Sequence, residues 1–229
     1  MLNPGPPPPR FCAVLPAHNE AAHIDAVVRG VRRQGFEAVV VDDGSTDDTA
    51  RVAREAGAVV LRQSPNQGKG AALTRGFSHA MERGYDGVVT MDADGQHDPA
   101  SMNEFVDAYR RTGIPVLVGN RMSRPGPMPW HRRLTNRFMS WMICRHMRQF
   151  LPDTQNGFRL YHASVLPLLR TESGGFAAES EVLLRLDEHA IRMDWVPVQA
   201  IYGTEESSIR PVRDTLRFLR MMLRFLVRR

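Results

Sequence analysis

Four times in the first hundred residues, a short β-branched run ends in a polar turn and is followed by apolar residues at helical spacing. Residues 11–15 lead into Pro16-Ala17-His18-Asn19-Glu20, and Ile24, Val27, Val28 and Val31 follow at steps of three and four. Residues 38–41 lead into Asp42-Asp43-Gly44-Ser45-Thr46-Asp47-Asp48-Thr49, whose Ser, Thr and Asp side chains can cap a helix that stops at Gly57. Residues 58–61 lead into Asn66-Gln67-Gly68-Lys69-Gly70, ahead of Ala72, Leu73, Phe77 and Met81. Residues 87–91 lead into Asp92-Ala93-Asp94-Gly95-Gln96-His97-Asp98. Near-continuous apolar strands alternating with amphipathic helices predict an α/β fold: a mostly parallel central sheet with helices on both faces. The four polar turns then fall on the carboxyl edge of the strands, where open α/β sheets bind ligands.

The last turn carries the chemistry. Asp92, Asp94 and Asp98 lie within seven residues. Asp98 precedes Pro99 and a helical pattern of Met102, Phe105, Val106 and Tyr109, so it reads as a helix cap. Asp92 and Asp94 sit where the strand ends. Carboxylates this close repel one another unless a cation holds them, and hard oxygen ligands suit Mg²⁺ or Mn²⁺. No cysteine or histidine pair stands at zinc spacing. An Asx-turn or cap explains many isolated Asp-x-Asp triplets; Gln96, His97 and the strand context favour metal here.

Two nucleotide-binding alternatives fail on their residues. A P-loop needs a hydroxyl after its lysine, and Gly70 follows Lys69. A dinucleotide fold needs Gly-x-Gly-x-x-Gly after its first strand, where Pro16-Ala17-His18-Asn19-Glu20 stands instead. Lys69 is the one lysine among 30 Lys and Arg residues. At the start of a helix it reads equally as a phosphate contact or as a solvated side chain.

At 229 residues with a net charge of +5, the chain is long enough for a full core and lacks the composition of a disordered protein. Residues 1–10, with five prolines and no apolar stretch, read as a disordered lead-in rather than a secretory signal. No run of 18 uncharged apolar residues predicts a membrane span. Two cysteines, Cys12 and Cys144, point to a reducing compartment rather than a disulfide framework.

The ordered turns, together with Val118-Gly119-Asn120-Arg121 and Asp153-Thr154-Gln155-Asn156-Gly157-Phe158-Arg159-Leu160-Tyr161, resemble the family 2 glycosyltransferases. Among these the chain is most similar to dolichyl- and polyprenyl-phosphate mannose and glucose synthases. The resemblance spans residues 11–210 and implies a GT-A fold, a nucleotide-diphosphate sugar donor of the GDP-mannose or UDP-glucose type, and inversion at the sugar carbon. It further implies that Pro16, Ala17, His18, Glu20 and Asp43 line the nucleoside pocket, with Lys69 and Asp92 also on the donor. It assigns Asp92, Asp94 and Gln96 to Mg²⁺ or Mn²⁺. Arg121 would face the donor and acceptor phosphates; Asp94, Arg121 and Asp153 are the candidate catalytic residues.

Basic residues then point to a partner. No acidic residue occurs between Ala108 and Pro152, while Arg121, Arg124, Arg132, Arg133, Arg137, Arg145 and Arg148 do. Residues 123–129 read as a mobile loop, and 130–148 as a helix with Trp130, Leu134, Phe138, Trp141 and Met142 on one side. That helix reads either as packed on the core or as a basic amphipathic element at a membrane. Residues 211–229 read as a second basic helix, whose stripe Arg213, Arg217, Arg220, Arg224 and Arg228 is expected to face acidic headgroups while Leu216, Leu219, Leu223 and Phe225 enter the interface. Arginines beside leucine, methionine and phenylalanine favour an anionic membrane surface over nucleic acid.

The sequence therefore predicts a metal-dependent hexosyltransferase acting on polyprenyl phosphate, peripheral at the cytoplasmic face of the cell membrane. Another acceptor (glycolipid, protein or small molecule) and a catalytically inactive membrane-binding module are the competing readings. A processive synthase is disfavoured, because the Gln-x-x-Arg-Trp motif is missing.

Overall fold

The structure, a computed structural model, describes residues 9–123, 128, 130–169, 176–199, 201, 218, 220–223 and 225. Its centre is a seven-stranded sheet in the order β3-β2-β1-β4-β6-β5-β7. The strands are β1 (Phe11–Ala17), β2 (Glu37–Asp43), β3 (Val59–Gln63), β4 (Gly87–Thr90), β5 (Val116–Asn120), β6 (Arg159–His162) and β7 (Met193–Pro197). Neighbours pair in parallel except at β6, which runs antiparallel to both β4 and β5. This is a GT-A fold.

Alternation along each strand separates two apolar layers. Cys12, Val14, Val39, Val41 and Val88 face one side, with α3 (Lys69–Glu82), α5 (Trp130–Cys144) and α6 (Phe176–Glu188). Phe11, Ala13, Leu15, Ala38, Val40 and Val89 face the other, with α1 (Ile24–Arg33), α2 (Thr49–Glu55) and α4 (Met102–Thr112). Both faces are dry, which is why the strands read as unbroken apolar runs. Burying each Val, Leu or Phe contributes about 1.5–3 kcal/mol. Gly76 lets α3 lie against β1, since a Cβ there would stand 2.4 Å from a Val14 methyl carbon.

The helix and strand pattern of residues 11–112 follows the sequence reading, except that β1, β2 and β3 each run two residues past the ends read for them, into Ala17, Asp43 and Gln63. β1 runs on through Pro16 and Ala17, paired with Val41 and Asp42. Proline is tolerated there because the β4 ladder on its other side ends at the Val14–Thr90 pair, so no strand partner needs its missing N–H. Asp98 caps as expected, accepting from the Ala100 amide at 2.9 Å at the head of a short 3₁₀ turn before α4.

The C-terminal segment differs from its reading. Phe218, Met221, Met222 and Phe225 are all buried in the layer under α3, α5 and α6. Their spacing of three, four and seven makes them the inner stripe of a packed helix. Phe225 therefore does not enter a membrane interface; Arg220 and Leu223 face outward. Arg213, Arg217, Arg224, Arg228, Leu216 and Leu219 lie outside the described residues, as do residues 1–8 and most of the 123–129 loop. Among the described residues no helix is long and apolar enough to cross a membrane.

Candidate active site

The four turns meet at one edge and are tied to one another by specific contacts. The His18 Nδ1 lies 3.0 Å from the Asp43 carbonyl oxygen. The amides of Asn19 and Glu20 donate to Ser45 Oγ and Thr49 Oγ1, at 3.0 and 2.8 Å. Pro16, Ala17, His18 and Glu20 thus run beside the second turn. Gly44 makes the crossing possible: at φ +72° a side chain is strained, and a Cβ would lie 2.8 Å from the Asn66 nitrogen.

Asp43 joins the second turn to the third. Its Oδ1 accepts from Gln63 Nε2 at 2.6 Å and from the Gln67 amide at 2.7 Å, and its Oδ2 accepts from the Gly68 amide at 2.7 Å. Buried and accepting three bonds, Asp43 shapes the edge of the pocket assigned to it.

Lys69 joins the third turn to the fourth. Its ammonium stands 2.5 Å from Asp92 Oδ1 and 2.5 Å from Glu179 Oε1. Of the two readings of Lys69, a free solvated side chain is excluded; it bridges two carboxylates. Burial alone would depress its pKa, but the two carboxylates raise it above the usual lysine range. Asp92 is held low despite its burial, chiefly by the Lys69 charge.

Asp94 behaves oppositely. Burial, and then the charge on Asp92, raise it to about 6. Its Oδ1 accepts from the Gln96 amide at 2.9 Å, and the Gln96 carbonyl accepts from the Ile201 amide at 2.9 Å. His97 is buried, its ring 5.2 Å from that of Phe158, its Nε2 4.0 Å from Asp92 Oδ2 and its Nδ1 without a hydrogen-bond partner among the described residues. Burial depresses its pKa to about 4, so it is neutral near pH 7.

This donor set fits a hard divalent ion. Asp94, raised by its burial and then by the neighbouring Asp92 charge, holds negative charge that a cation relieves. Among the described residues no three His, Cys, Asp or Glu side chains form a ready-made cage. Such an incomplete set suits Mg²⁺, which is usually held by one or two carboxylates with water and phosphate completing the shell.

Arg121, at the end of β5, is clamped by Asp153. Its Nε donates to Oδ2 at 2.7 Å and an Nη donates to Oδ1 at 2.9 Å. Asp153 is 1 % exposed and both of its oxygens are occupied. Its two contacts fix the orientation of the Arg121 guanidinium.

Glu179 was not read from the sequence, and Arg159 and Gly157 were read only as members of the resembling stretch, without a role. Glu179 lies in α6 at 6 % exposure, and Arg159, at 1 %, donates to the carbonyls of Asn156, Glu179 and Thr154. That guanidinium locks residues 153–159 to the head of α6. Gly157 sits against the lysine bridge, where a Cβ would lie 2.8 Å from Glu179 Oε1 and 3.0 Å from Asp92 Oδ2. The available signal was Glu179-Ser180-Glu181 set directly before Val182-Leu183-Leu184: a carboxylate on a buried helix face requires a charged partner.

On the outer side, α5 exposes Trp130 (77 %), Leu134 (62 %), Phe138 (57 %) and Trp141 (60 %). The opposite face carries buried Ser140 and Ile143. The apolar side of this helix thus points away from the core rather than packing on it; only Met142 of the five packs partly against the core. Ser140 Oγ accepts from the Thr154 amide at 2.9 Å, so the helix is fastened one residue from Asp153.

A GT-A sheet with an acidic turn at its carboxyl edge defines a glycosyltransferase. The chain belongs to Glycosyl transferase family 2, which it matches over residues 12–167. It is 27 % identical to the UDP-N-acetylglucosamine–dolichyl-phosphate N-acetylglucosaminyltransferase of Methanococcus voltae, covering 86 % of this chain and 87 % of that one. It is 29 % identical to the undecaprenyl-phosphate mannosyltransferase of Micrococcus luteus, covering 82 % of each. Glucosyl-3-phosphoglycerate synthase of Mycobacterium tuberculosis, solved with Mn²⁺, UDP and glucosyl-3-phosphoglycerate, shares the fold at a TM-score of 0.65 and 21 % identity, covering 96 % of this chain and 79 % of that one.

Proposed function

We propose that the protein transfers a hexose from a nucleotide-diphosphate sugar, of the GDP-mannose or UDP-glucose type, to a polyprenyl phosphate, with inversion, at the cytoplasmic face of an anionic membrane. The observation that carries the choice of acceptor is the outward apolar stripe of α5, bonded through Ser140 and Thr154 to the Asp153–Arg121 clamp. A water-soluble acceptor needs no such face beside its phosphate site. Relatives named for dolichyl-phosphate and undecaprenyl-phosphate transfer support the same reading.

The residues divide the work. Pro16, Ala17, His18, Glu20 and Asp43 form the wall for the nucleoside. Asp92 and Asp94, with Gln96, would hold Mg²⁺ or Mn²⁺, which supplies Lewis-acid neutralisation of the diphosphate leaving group. Arg121, pre-oriented by Asp153, contributes a fixed positive charge for the phosphates. A phosphate oxygen of the acceptor forms the new bond to the anomeric carbon as the bond to the diphosphate breaks, and the electron pair departs with the diphosphate. A phosphomonoester is largely dianionic near pH 7, its second pKa being about 6. No strong general base is required, in keeping with an Asp153 whose oxygens are both taken.

The test is a panel of nucleotide sugars offered undecaprenyl phosphate and 3-phosphoglycerate in competition, with Mn²⁺, products read by mass spectrometry. A glycosylated lipid phosphate is expected. Glycosylated phosphoglycerate with no lipid product would replace this reading with a soluble acceptor, and no product from any donor would favour the inactive module.

A further inference from the structure

The bridge at Lys69 has a consequence for how a cation reaches Asp92. The ammonium already occupies Asp92 Oδ1, and its second partner is the deeper Glu179, 6 % exposed against 27 % for Asp92. Gly68, whose amide is fixed on Asp43, precedes Lys69, and Gly157 lies against the bridge, where a Cβ would stand 3.2 Å from Nζ. A divalent ion arriving alone would meet a carboxylate already neutralised and a positive charge beside it. A diphosphate changes that balance, because its own negative charge compensates the ion while the ammonium remains on Glu179.

We propose that Lys69, held by Glu179, is an internal counter-ion that keeps Asp92 from capturing a free divalent cation, so that metal enters this site together with the nucleotide diphosphate. The proposal rests on the metal reading of Asp92 and Asp94. Glu179 is on this view a positioning residue: it anchors the ammonium and gives it a second partner when Asp92 is needed by the metal. Lys69 thereby couples the binding of metal and nucleotide, and such coupling is reciprocal.

The test measures Mn²⁺ binding to the full chain by electron paramagnetic resonance, alone and with UDP or GDP in separate arms. The double variant Lys69→Met/Glu179→Gln removes one charge of each sign and so leaves the net charge unchanged. Without nucleotide it is expected to bind Mn²⁺ about tenfold more tightly than wild type, the gain expected when a like charge beside the ion is removed. The boost that nucleotide gives to Mn²⁺ affinity should shrink by the same factor. Glu179→Gln alone leaves the ammonium to Asp92 and should weaken nucleotide-free Mn²⁺ binding several-fold. That single variant keeps the question decidable if the double variant does not fold. Free-Mn²⁺ affinity unchanged or lower in a folded double variant, or unchanged or higher in Glu179→Gln, overturns the proposal and leaves the bridge a structural tie between α3 and α6. Absence of Mn²⁺ binding to wild type in both nucleotide arms would instead refute the metal reading itself.

Discussion

Arg121 and Asp153 meet through two parallel contacts of 2.7 and 2.9 Å, and the Arg121 amide adds a third to the same carboxylate at 3.2 Å. This geometry needs a planar fork, which lysine lacks. Arg121→Lys is therefore expected to lower kcat by about 10- to 100-fold, or about 1.4–2.8 kcal/mol of barrier, while nucleotide affinity changes little. Asp153→Asn should do the same to kcat and also lower Tm, since breaking a buried pair costs about 3–5 kcal/mol. Steady-state kinetics beside equilibrium nucleotide binding checks both. An unchanged turnover in Arg121→Lys would return this arginine to a structural role.

Asp94 carries an ionisation that burial and Asp92 make unfavourable, its pKa lying at about 6. Replacing it by an amide of the same shape removes that charge. Asp94→Asn should abolish transfer while leaving Tm at pH 8 equal to or above wild type, and excess EDTA should abolish wild-type transfer. Activity that persists in the variant, or in EDTA, would exclude the metal-dependent chemistry.

His97 gives the fold a pH dependence of definite sign. Its folded pKa, about 4, lies below the 6.5 of an unperturbed histidine because burial disfavours the charged ring. The unfolded chain thus binds the proton first on acidification. The stability the neutral ring contributes is whole above pH 6.5 and is lost progressively as pH falls to 4. At about 1.36 kcal/mol per unit, the full loss is about 3 kcal/mol. Asp94, raised to about 6, acts in the opposite sense over part of this range, so the comparison must be between chains rather than between pH values. Denaturant unfolding of wild type and His97→Gln from pH 7 to 4 should show a shallower loss in the variant; identical slopes would mean that the buried ring is not what titrates.

Much of this was legible because it is written in local spacing. Unbroken apolar runs and period-3.6 spacing place β1 to β4 and their helices, and Asp92 and Asp94 fall at a strand end that can be read directly. The contacts that complete the site were not legible, because they join distant parts of the chain. Glu179 reaches Lys69 across 110 positions, and Asp153 reaches Arg121 across 32. The family resemblance placed Arg121 and Asp153 among the catalytic candidates but could not show that one neutralises the other. The C-terminal segment misled for a physical reason. A helix with arginines along one stripe and apolar residues around the rest fits an interface or a groove equally well, and only the uncovered core under α3 and α6 decides for Phe225.

That relocation changes which helix should hold the membrane. Phe218, Met221, Met222 and Phe225 supply core, and each large-to-small change in a core costs about 2–5 kcal/mol. Deleting all four, by truncation after residue 217, should therefore collapse the cooperative melt rather than selectively release a folded protein from vesicles. The selective variant lies in α5. Trp130, Leu134, Phe138 and Trp141 expose more than half their area on one stripe, with Arg137 and Arg145 also exposed on or just beyond the helix. Burial of aromatic area at the interface adds to about 1 kcal/mol for each basic residue near acidic headgroups. The triple change Trp130→Ser/Phe138→Ser/Trp141→Ser should lower binding to anionic vesicles at least tenfold in flotation while leaving Tm near wild type. Transfer to a short water-soluble polyprenyl phosphate should survive, because the acidic turn and Arg121 are untouched. Salt should weaken wild-type binding only in part, since raising it from 0.1 to 1 M cuts the screening length from about 10 to about 3 Å but leaves the apolar contribution. Equal flotation of the triple variant and wild type would show that this face meets something other than a bilayer.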